Sequence, residues 1–172
     1  MKKLIGAAVL LLCSGVACAQ WSTNPSENRA IADRTGDQVQ PKVVSDGAGG
    51  SYISWFDNFA GGYDVRLQHV DRFGYDMWAA NGIELCNRSV SSTIDYDLVP
   101  LSGGRAGLVF TEDTRTPGGG QQVTMQIVDG AGNALFPAPG VTITSDTLFK
   151  GNPHMAELST GEIVVGYSSG SP

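Results

Sequence analysis

Acidic residues provide the main candidates for chemistry in this sequence. Glu112 and Asp113 follow one apolar, strand-like segment, and Asp57 ends a similar segment earlier in the chain. A pair of carboxyl groups can act as acid and base in glycoside hydrolysis. Nothing in the surrounding sequence predicts a raised pKa for any of the three. We therefore predict no catalytic residue, and a glycan-active hydrolase or lyase remains the alternative.

Metal-ligand spacing is weak throughout the sequence. His69 and His154 are the only histidines, and neither has a partner at a spacing typical of zinc sites. We expect His69 to pack on a strand and His154 to face solvent. Asp95, Asp97 and the segment Asp129–Asn133 offer oxygen ligands, but fewer than a full calcium loop carries. The sequence predicts neither a metal nor another cofactor.

The first nineteen residues have the features of a signal peptide. Lys2 and Lys3 precede an apolar core, Leu4–Leu12, and the small residues Ala17 and Ala19 flank Cys18. We predict cleavage after Ala19 and a secreted or cell-surface protein, with the periplasm as a further location. Lipidation of Cys18 is the alternative. The apolar core is shorter than the ~20 residues of a membrane span, and no transmembrane segment is predicted.

Removal of this peptide changes the charge and the cysteine content. Nine of the eleven basic residues then face seventeen acidic ones, so the formal charge goes from −6 to −8. Such a chain is a poor candidate for binding nucleic acid or anionic lipid. Cys86 becomes the only cysteine, which excludes an intrachain disulfide. We expect it to be buried as a small apolar residue.

Two segments of the chain share one pattern. VDRFGYDMWAANGIEL (Val70–Leu85) is followed 58 positions later by VDGAGNALFPAPGVTI (Val128–Ile143). Three further windows align on a glycine turn at offsets of 55 and 112, so that Gly49 matches Gly104 and Gly161. They are PKVVSDGAGGSYISWFD (41–57), YDLVPLSGGRAGLVFTED (96–113) and PHMAELSTGEIVVGYSS (153–169).

Each unit contains four candidate strands. In the first unit these are Lys42–Val44, Ser51–Phe56, Asp64–Val70 and Gly82–Cys86, separated by turns rich in Gly and Asp. The predicted fold is therefore all-β. Units of about 55 residues favour four-stranded antiparallel propeller blades over tandem sandwiches, which need about 100 residues each.

The windows PKVVSDGAGGSYISWFD (41–57) and DVRLQHVDRFGYDMWAANGI (64–83) resemble the blades of large secreted bacterial β-propeller proteins. This resemblance covers nearly all of residues 38–172 and implies an exported, often surface-associated protein. The predicted boundaries are 38–92 for a first blade, 93–149 for a second and 150–172 for a partial third. Residues 20–37 are either a ring-closing strand, since Trp21 lies 57 positions before Trp78, or a flexible leader.

The third unit stops after its second strand. Each blade buries its faces only against neighbours, and closed rings use about four to eight blades. We therefore expect the sequence to be the N-terminal piece of a longer propeller. Expressed alone, it should expose apolar surface to a dye such as ANS.

Shared positions are explained by blade construction, so recognition is expected in the unshared loops. Aromatic, amide and guanidinium side chains there would suit carbohydrate or protein at the cell surface; they are Asn58, Phe59, Tyr63, Arg88, Tyr96 and Arg115. Trp55, Phe110 and Tyr167 share one register position and are expected to be buried between blades, beside Ile53, Leu108 and Val165. The predicted function is non-enzymatic binding or cell-surface interaction, and a structural spacer is a further alternative.

Overall fold

The computed structural model describes residues 24, 26, 28–88, 95–112, 121–144, 146 and 148–170. The elements in these ranges are β-strands, all paired antiparallel. They are β1 (Gln38–Ser45), β2 (Ser51–Asp57), β3 (Asp64–Val70), β4 (Ile83–Cys86), β5 (Asp97–Leu101), β6 (Arg105–Glu112), β7 (Gln122–Val128), β8 (Val141–Thr142), β9 (Phe149–Glu157) and β10 (Ile163–Gly170). No helix within these ranges reaches the length and apolarity that a membrane span requires.

The strands form two four-stranded sheets and one hairpin. The first sheet has the order β1-β2-β3-β4, the second has the order β5-β6-β7-β8, and β9 pairs with β10. Each four-stranded sheet is thus a simple meander in which consecutive strands are neighbours. The strand-sized segments separated by glycine turns specify this connectivity, because short turns join antiparallel neighbours.

The strand registers of the two sheets correspond residue by residue. Ile53 lies opposite Val43 on one side and Gln68 on the other. Leu108, 55 positions later, lies opposite Leu98 and Gln126. Gln126 lies 58 positions after Gln68. Residues that align in the sequence at offsets of 55 and 58 therefore occupy equivalent positions in the two sheets.

The turns that follow β3 and β7 are stabilised in the same way, by an aspartate side chain. The Asp71 carboxylate accepts the N–H groups of Phe73 and Tyr75 at 2.8 and 2.9 Å. Asp129 accepts those of Ala131 and Asn133 at 2.9 and 2.8 Å. These side-chain-to-backbone bonds stabilise both turns, and in the second turn Asn133 Nδ2 also donates to Asp129 Oδ2 at 3.1 Å.

The first sheet packs face to face on the second. One core contains Tyr52, Phe56 and Leu67 from the first sheet together with Leu98, Leu108 and Phe110 from the second, all at most 3% exposed. Closely packed side chains between two sheets hold the sheets at a fixed distance and angle to each other.

The second sheet packs on the β9–β10 hairpin through a smaller core of Val109, Val123 and Met155. Gly107 permits this approach, because a Cβ atom there would lie 2.7 Å from the Met155 Cε atom. The three strand groups therefore stack in chain order.

The predicted core positions divide into two groups. Trp55 is 3% exposed, Leu108 and Phe110 are fully buried, and Ile53 and Val165 are half-buried. Tyr167 is 42% exposed, so the expectation of its burial is wrong.

The neighbouring strand explains the difference. Trp55 lies opposite Arg66 of β3, and Phe110 lies opposite Thr124 of β7. Tyr167 lies on β10, which pairs with β9 alone in the described part of the chain. Without a strand on its other side, the Tyr167 ring stays in contact with solvent.

The described residues before β1 contact the loops and turns that connect the strands of the first sheet. Asp37 and Asn58 exchange hydrogen bonds, with the Asp37 N–H donating to Asn58 Oδ1 at 2.6 Å and Asn58 Nδ2 donating to Asp37 Oδ2 at 3.1 Å. The Asp33 N–H donates to Asn81 Oδ1 at 2.6 Å. Trp21, which supports the expectation of a ring-closing strand, lies outside the described residues.

Candidate functional site

The loop end of the first sheet, where residues 58–63 join β2 to β3, contains two facing carboxylates. Asp57 and Asp64 are directly opposite each other in the strand register and are 0% and 2% exposed. Asp57 Oδ1 accepts the Phe59 N–H at 3.0 Å, and Asp64 Oδ1 accepts the Arg88 N–H at 2.9 Å. Asp57 therefore holds the start of the β2–β3 connection, and Asp64 holds the chain just after β4.

Burial raises the pKa of the Asp64 carboxyl, and the negative charges of Glu84 and Asp57 raise it further. The Arg88 N–H and the Arg66 guanidinium lower it by less. Asp57 Oδ1 has Arg34 Nη1 at 3.8 Å. Asp64 is thus a buried carboxyl group with a raised pKa, and it faces the buried Asp57 across the two strands.

Arg66 lies next to this pair on the same face of the sheet. Its guanidinium donates to the carbonyl oxygens of Asn81 and Gly82, both at 3.0 Å, and forms an ion pair with Glu84 at 3.2 Å. Burial lowers the pKa of Arg66, and the like charge of Arg34 contributes. The donor groups of Arg66 are used to hold the chain that leads into β4.

The equivalent position in the second sheet is built differently. Glu112 is fully buried, accepts the Thr124 hydroxyl at 3.1 Å, and faces Gln122 across the strands. Asp113 lies outside the described residues. Since Asp57, Asp64 and Glu112 are closed to solvent, none of them can reach a polysaccharide chain in this conformation.

The predicted binding residues are only partly brought together. Phe59 is 54% exposed, and the Arg34 guanidinium lies over its ring at 4.1 Å. Asn58 is committed to Asp37, as described above. Tyr63 is half-buried and packs edge-on against Phe56 at 6.5 Å. Arg115 lies outside the described residues.

Two of the predicted binding residues need correction. Tyr96 is fully buried, and its hydroxyl bonds to Ser54 and to the Gln40 carbonyl oxygen, both at 2.9 Å. Arg88 is 1% exposed and lies over the Phe56 ring at 4.6 Å. Both side chains are enclosed in the fold, so neither presents a surface to a ligand.

Phe59 is therefore the exposed ring of the loop end, with the guanidinium of the half-buried Arg34 over it, and we call this pair the Phe59 platform. It combines a flat apolar ring with a guanidinium whose stacking orders both groups. The sequence predicts Phe59 as a binding residue because it lies in a loop that the repeat does not share, and this stays a prediction. It could not identify Arg34, which is brought to the ring by the folding of residues 28–37 onto the sheet.

His69 is half-buried at the opposite end of the first sheet, in an aromatic cluster. Its Nε2 atom lies 2.9 Å from Asp46 Oδ2, and its ring lies 4.4 Å from Tyr52 and 5.6 Å from Trp78. Packing on a strand face is therefore the observed role. His154 has a 65% exposed side chain, with Nδ1 at 3.4 Å from Asp97 Oδ2.

The remaining oxygen and sulfur ligands are dispersed or buried. Asp95 pairs with Lys42 at 3.0 Å, and Cys86 is buried. No three His, Cys, Asp or Glu side chains converge as a possible metal site in the ranges that the structure describes. No calcium or zinc chemistry is assigned to these residues.

The turn end of the first sheet, formed by residues 46–50 and 71–82, exposes a second group of large apolar side chains. Phe73, Tyr75 and Met77 are 50%, 62% and 53% exposed. The sequence analysis does not predict them, because recognition is expected there in the loops at the other end of the sheet. The signal was available: their partners at offset 58 are Ala131, Asn133 and Leu135.

A scan against protein-family models, a search of the curated proteins and a search of the solved structures each found no match.

Proposed function

We propose that this chain is an exported, non-enzymatic binding protein built from propeller-like blades, which acts at the cell surface through exposed loop side chains. The support for the blades is the pair of antiparallel meanders whose registers correspond at offsets of 55 and 58. Their face-to-face stacking is the arrangement that blades of a propeller use.

The observation that supports a binding role is the difference in exposure between the acidic and the aromatic side chains at the loop end. The acidic groups there are buried and hydrogen-bonded, whereas the Phe59 ring is exposed, with the half-buried Arg34 guanidinium over it. An exposed ring beside a guanidinium can stack on the flat face of a sugar or an aromatic side chain. Carbohydrate of the cell surface is the ligand class that this small, flat platform fits best.

A glycan array tests the proposal on the full chain. We expect binding to a defined set of glycans that Phe59→Ala reduces by at least about tenfold, which corresponds to a hot-spot contribution above ~1.4 kcal/mol. Tyr167→Ala removes another exposed ring, from the β9–β10 hairpin, and is the matched control. Equal glycan binding by wild type and Phe59→Ala, or no glycan binding, would contradict the proposal.

Hydrolysis assays on the same glycans separate binding from catalysis. We expect no turnover by the wild-type chain. Turnover that disappears in Asp57→Asn or Glu112→Gln would overturn the non-enzymatic function and support a glycan hydrolase or lyase.

Export has its own test. The intact mass of the mature protein from an exporting host should correspond to a chain that starts at Gln20. A mass that includes lipid on Cys18 would show anchoring instead, and an unprocessed chain retained inside the cell would rule out export.

A further inference from the structure

The β10 strand lies at an edge of the β9–β10 hairpin and has a sequence that proteins normally avoid in an edge strand. It pairs with β9 alone in the described part of the chain. Its eight residues, Ile163–Gly170 (IVVGYSSG), include no charged residue and no proline. An edge strand of this kind presents a row of backbone N–H and C=O groups to which another strand can bind.

The other sheet edges in the described ranges are protected against such pairing. β1 and β9 each contain a bulge, in which a residue with positive φ precedes a proline, at Gln40–Pro41 and at Asn152–Pro153. β5 contains Pro100, β4 has four residues and includes Glu84, and β8 has two residues. Prolines, bulges, charges and short length keep edge strands from pairing with other chains. Their absence from β10 points to a strand that binds there.

The two four-stranded sheets show which kind of strand pairs at this position. Ile53 of β2 and Leu108 of β6 align with Val165 of β10, and β2 and β6 each have a further neighbour, β3 or β7. β3 (DVRLQHV) and β7 (QVTMQIV) share the pattern V-x-L/M-Q-x-V. Gln68 of β3 lies opposite Ile53, and Gln126 of β7 lies opposite Leu108. A strand with this pattern would therefore place its glutamine opposite Val165.

The glutamine of this pattern has the same use in both sheets. Gln68 and Gln126 are fully buried. Gln68 Nε2 donates to the Ala79 carbonyl oxygen, and Gln126 Nε2 donates to that of Phe136, both at 2.9 Å. Each Oε1 atom accepts the N–H of the next residue, at 2.9 and 3.0 Å. The amide therefore joins the strand to the chain beyond its turn, and an apolar side chain in its place would leave these backbone groups without a partner.

The exposure of Tyr167 indicates the same open position. Trp55 and Phe110, which align with it, lie on strands with neighbours on both sides and are buried. Tyr167 is exposed on β10. In the two sheets the residues opposite the aligned rings are Arg66 and Thr124. The same position of an added strand would lie opposite Tyr167 and cover its ring.

A second copy of this chain offers no described strand with the required pattern. β3 already pairs with β2 and β4, and β7 already pairs with β6 and β8, so neither has a free edge. A glycan or a lipid surface does not present the regular series of N–H and C=O groups that pairs with an edge strand. The occupant that fits β10 is therefore an extended segment of another protein.

We infer that β10 is a docking site for a segment of another protein, which adds an antiparallel strand with the pattern V-x-L/M-Q-x-V and places its glutamine opposite Val165. In strand addition, main-chain hydrogen bonds give the affinity and side chains at alternate positions give the specificity. The inference rests on the strand registers of the two sheets. It is independent of the Phe59 platform, which lies on a loop of the first sheet.

Binding of a synthetic peptide to the full-length protein tests the inference. The probe is a fluorescent peptide with the sequence of Gln122–Thr142, which includes β7, its turn and β8. We expect saturable binding by fluorescence anisotropy. Hydrogen exchange of the β10 amides should slow in the complex, while that of the β1 amides stays unchanged. The matched peptide with Gln126→Ala should bind at least about tenfold more weakly, because its backbone groups lose the amide partner.

Substitutions in the protein locate the binding site. Val164→Lys adds a charge at an exposed position of β10 and should weaken peptide binding at least about tenfold, since lysine on an edge strand opposes pairing. Leu158→Lys is the matched control, because it adds the same charge at an exposed position of the β9–β10 turn. It should leave the affinity unchanged. Both variants should keep a midpoint of thermal unfolding close to that of wild type, since surface substitutions have small effects.

Several outcomes would overturn the inference. These are the absence of peptide binding, equal binding of the two peptides, equal binding by Val164→Lys and wild type, or slowed exchange in strands other than β10. Self-association that Val164→Lys abolishes, without any peptide binding, would assign the edge to a second copy and overturn the inference as well. Loss of glycan binding in Phe59→Ala concerns the proposed function alone and should leave peptide binding unchanged.

Discussion

At the scale of single residues, the contribution of a large aromatic side chain depends on the strand beside it. Trp55 lies between strands and beneath the chain at Gly82, where a Cβ atom would lie 2.8 Å from Trp55 Cη2. Tyr167 occupies the aligned position on β10 and is 42% exposed. The same position in the pattern therefore produces a core residue in one sheet and a surface residue in the hairpin.

Replacing Trp55 by Ala should lower the free energy of unfolding by about 3–5 kcal/mol, as for other buried aromatics. Tyr167→Ala should cost less than about 1 kcal/mol, since surface substitutions have small effects. Trp55→Phe is the intermediate control, because it keeps a ring and removes a buried indole N–H that has no hydrogen-bond partner among the described residues. Chemical denaturation measures all three, and similar costs for Trp55→Ala and Tyr167→Ala would contradict the packing described here.

Asp46 and Asp64 should give opposite dependences of stability on pH. Burial alone would raise the pKa of Asp46, but hydrogen bonds from His69 and from the N–H groups of Ala48 and Gly50 outweigh it and bring the pKa below 3.8. The stabilisation from ionised Asp46 is therefore present above pH 3.8 and is lost as the pH falls through the lowered pKa.

The pKa of Asp64 is raised above 3.8, chiefly by burial. Its ionisation opposes folding at high pH, and this cost disappears as the pH falls through the raised pKa. On acidification, wild type should therefore lose its advantage in unfolding free energy over Asp46→Asn. Over the same pH range, the unfolding free energy of wild type should rise relative to that of Asp64→Asn. Denaturation at a series of pH values measures both, and parallel trends would show that the assigned causes are wrong.

At the scale of elements, the segment before β1 is held on the first sheet by polar contacts. Gly36 has φ of 101°, and a Cβ atom there would collide with the Asn58 side chain. Gly36→Ala should therefore loosen residues 33–37 and speed tryptic cleavage after Arg34 several-fold. Gly61→Ala is the matched control, because Gly61 has φ of 98° and nothing within 4 Å of a Cβ atom. Equal cleavage of the two variants would mean that backbone strain, and not the Asn58 contact, controls the segment.

Strand positions were largely predictable from local sequence. The prediction for β3, Asp64–Val70, matches the observed bounds, and that for β2 ends one residue early. β1 is longer than its prediction, Lys42–Val44, because Gln40 adopts φ of 51° before Pro41 and lets the strand continue through a bulge. Alternation of apolar residues does not encode such a bulge.

The candidate site was less predictable, because it depends on contacts between distant segments. Tyr96 precedes a strand and resembles a loop residue in the sequence, yet its hydroxyl reaches Ser54 on the neighbouring sheet. Arg34 reaches Phe59 only after residues 28–37 have folded back. Local pattern identifies neither contact, since both join segments more than twenty residues apart.

At the scale of the whole molecule, the side chains of Tyr52, Trp78 and Tyr96 make hydrogen bonds between the first sheet and the second. Tyr52 donates to the Gly104 carbonyl oxygen at 2.7 Å, Trp78 Nε1 donates to that of Gly130 at 3.2 Å, and Tyr96 meets Ser54 at 2.9 Å. They lie around an apolar core to which both sheets contribute. The two sheets should therefore unfold as one cooperative unit.

Hydrogen exchange of the Tyr96→Phe variant tests whether the two sheets unfold cooperatively. The substitution keeps the ring in the core and removes the hydroxyl that bonds to Ser54 and to the Gln40 carbonyl oxygen. Loss of this bond to the buried Ser54 hydroxyl should cost about 1–3 kcal/mol. Because the core is shared, the slowest amides of β2, β3, β6 and β7 should lose protection by the same free energy. His154→Ala, at an exposed site on the hairpin, should leave these amides unchanged. Loss of protection in the first sheet alone would show that the sheets open independently and that their contact is too weak to make one domain.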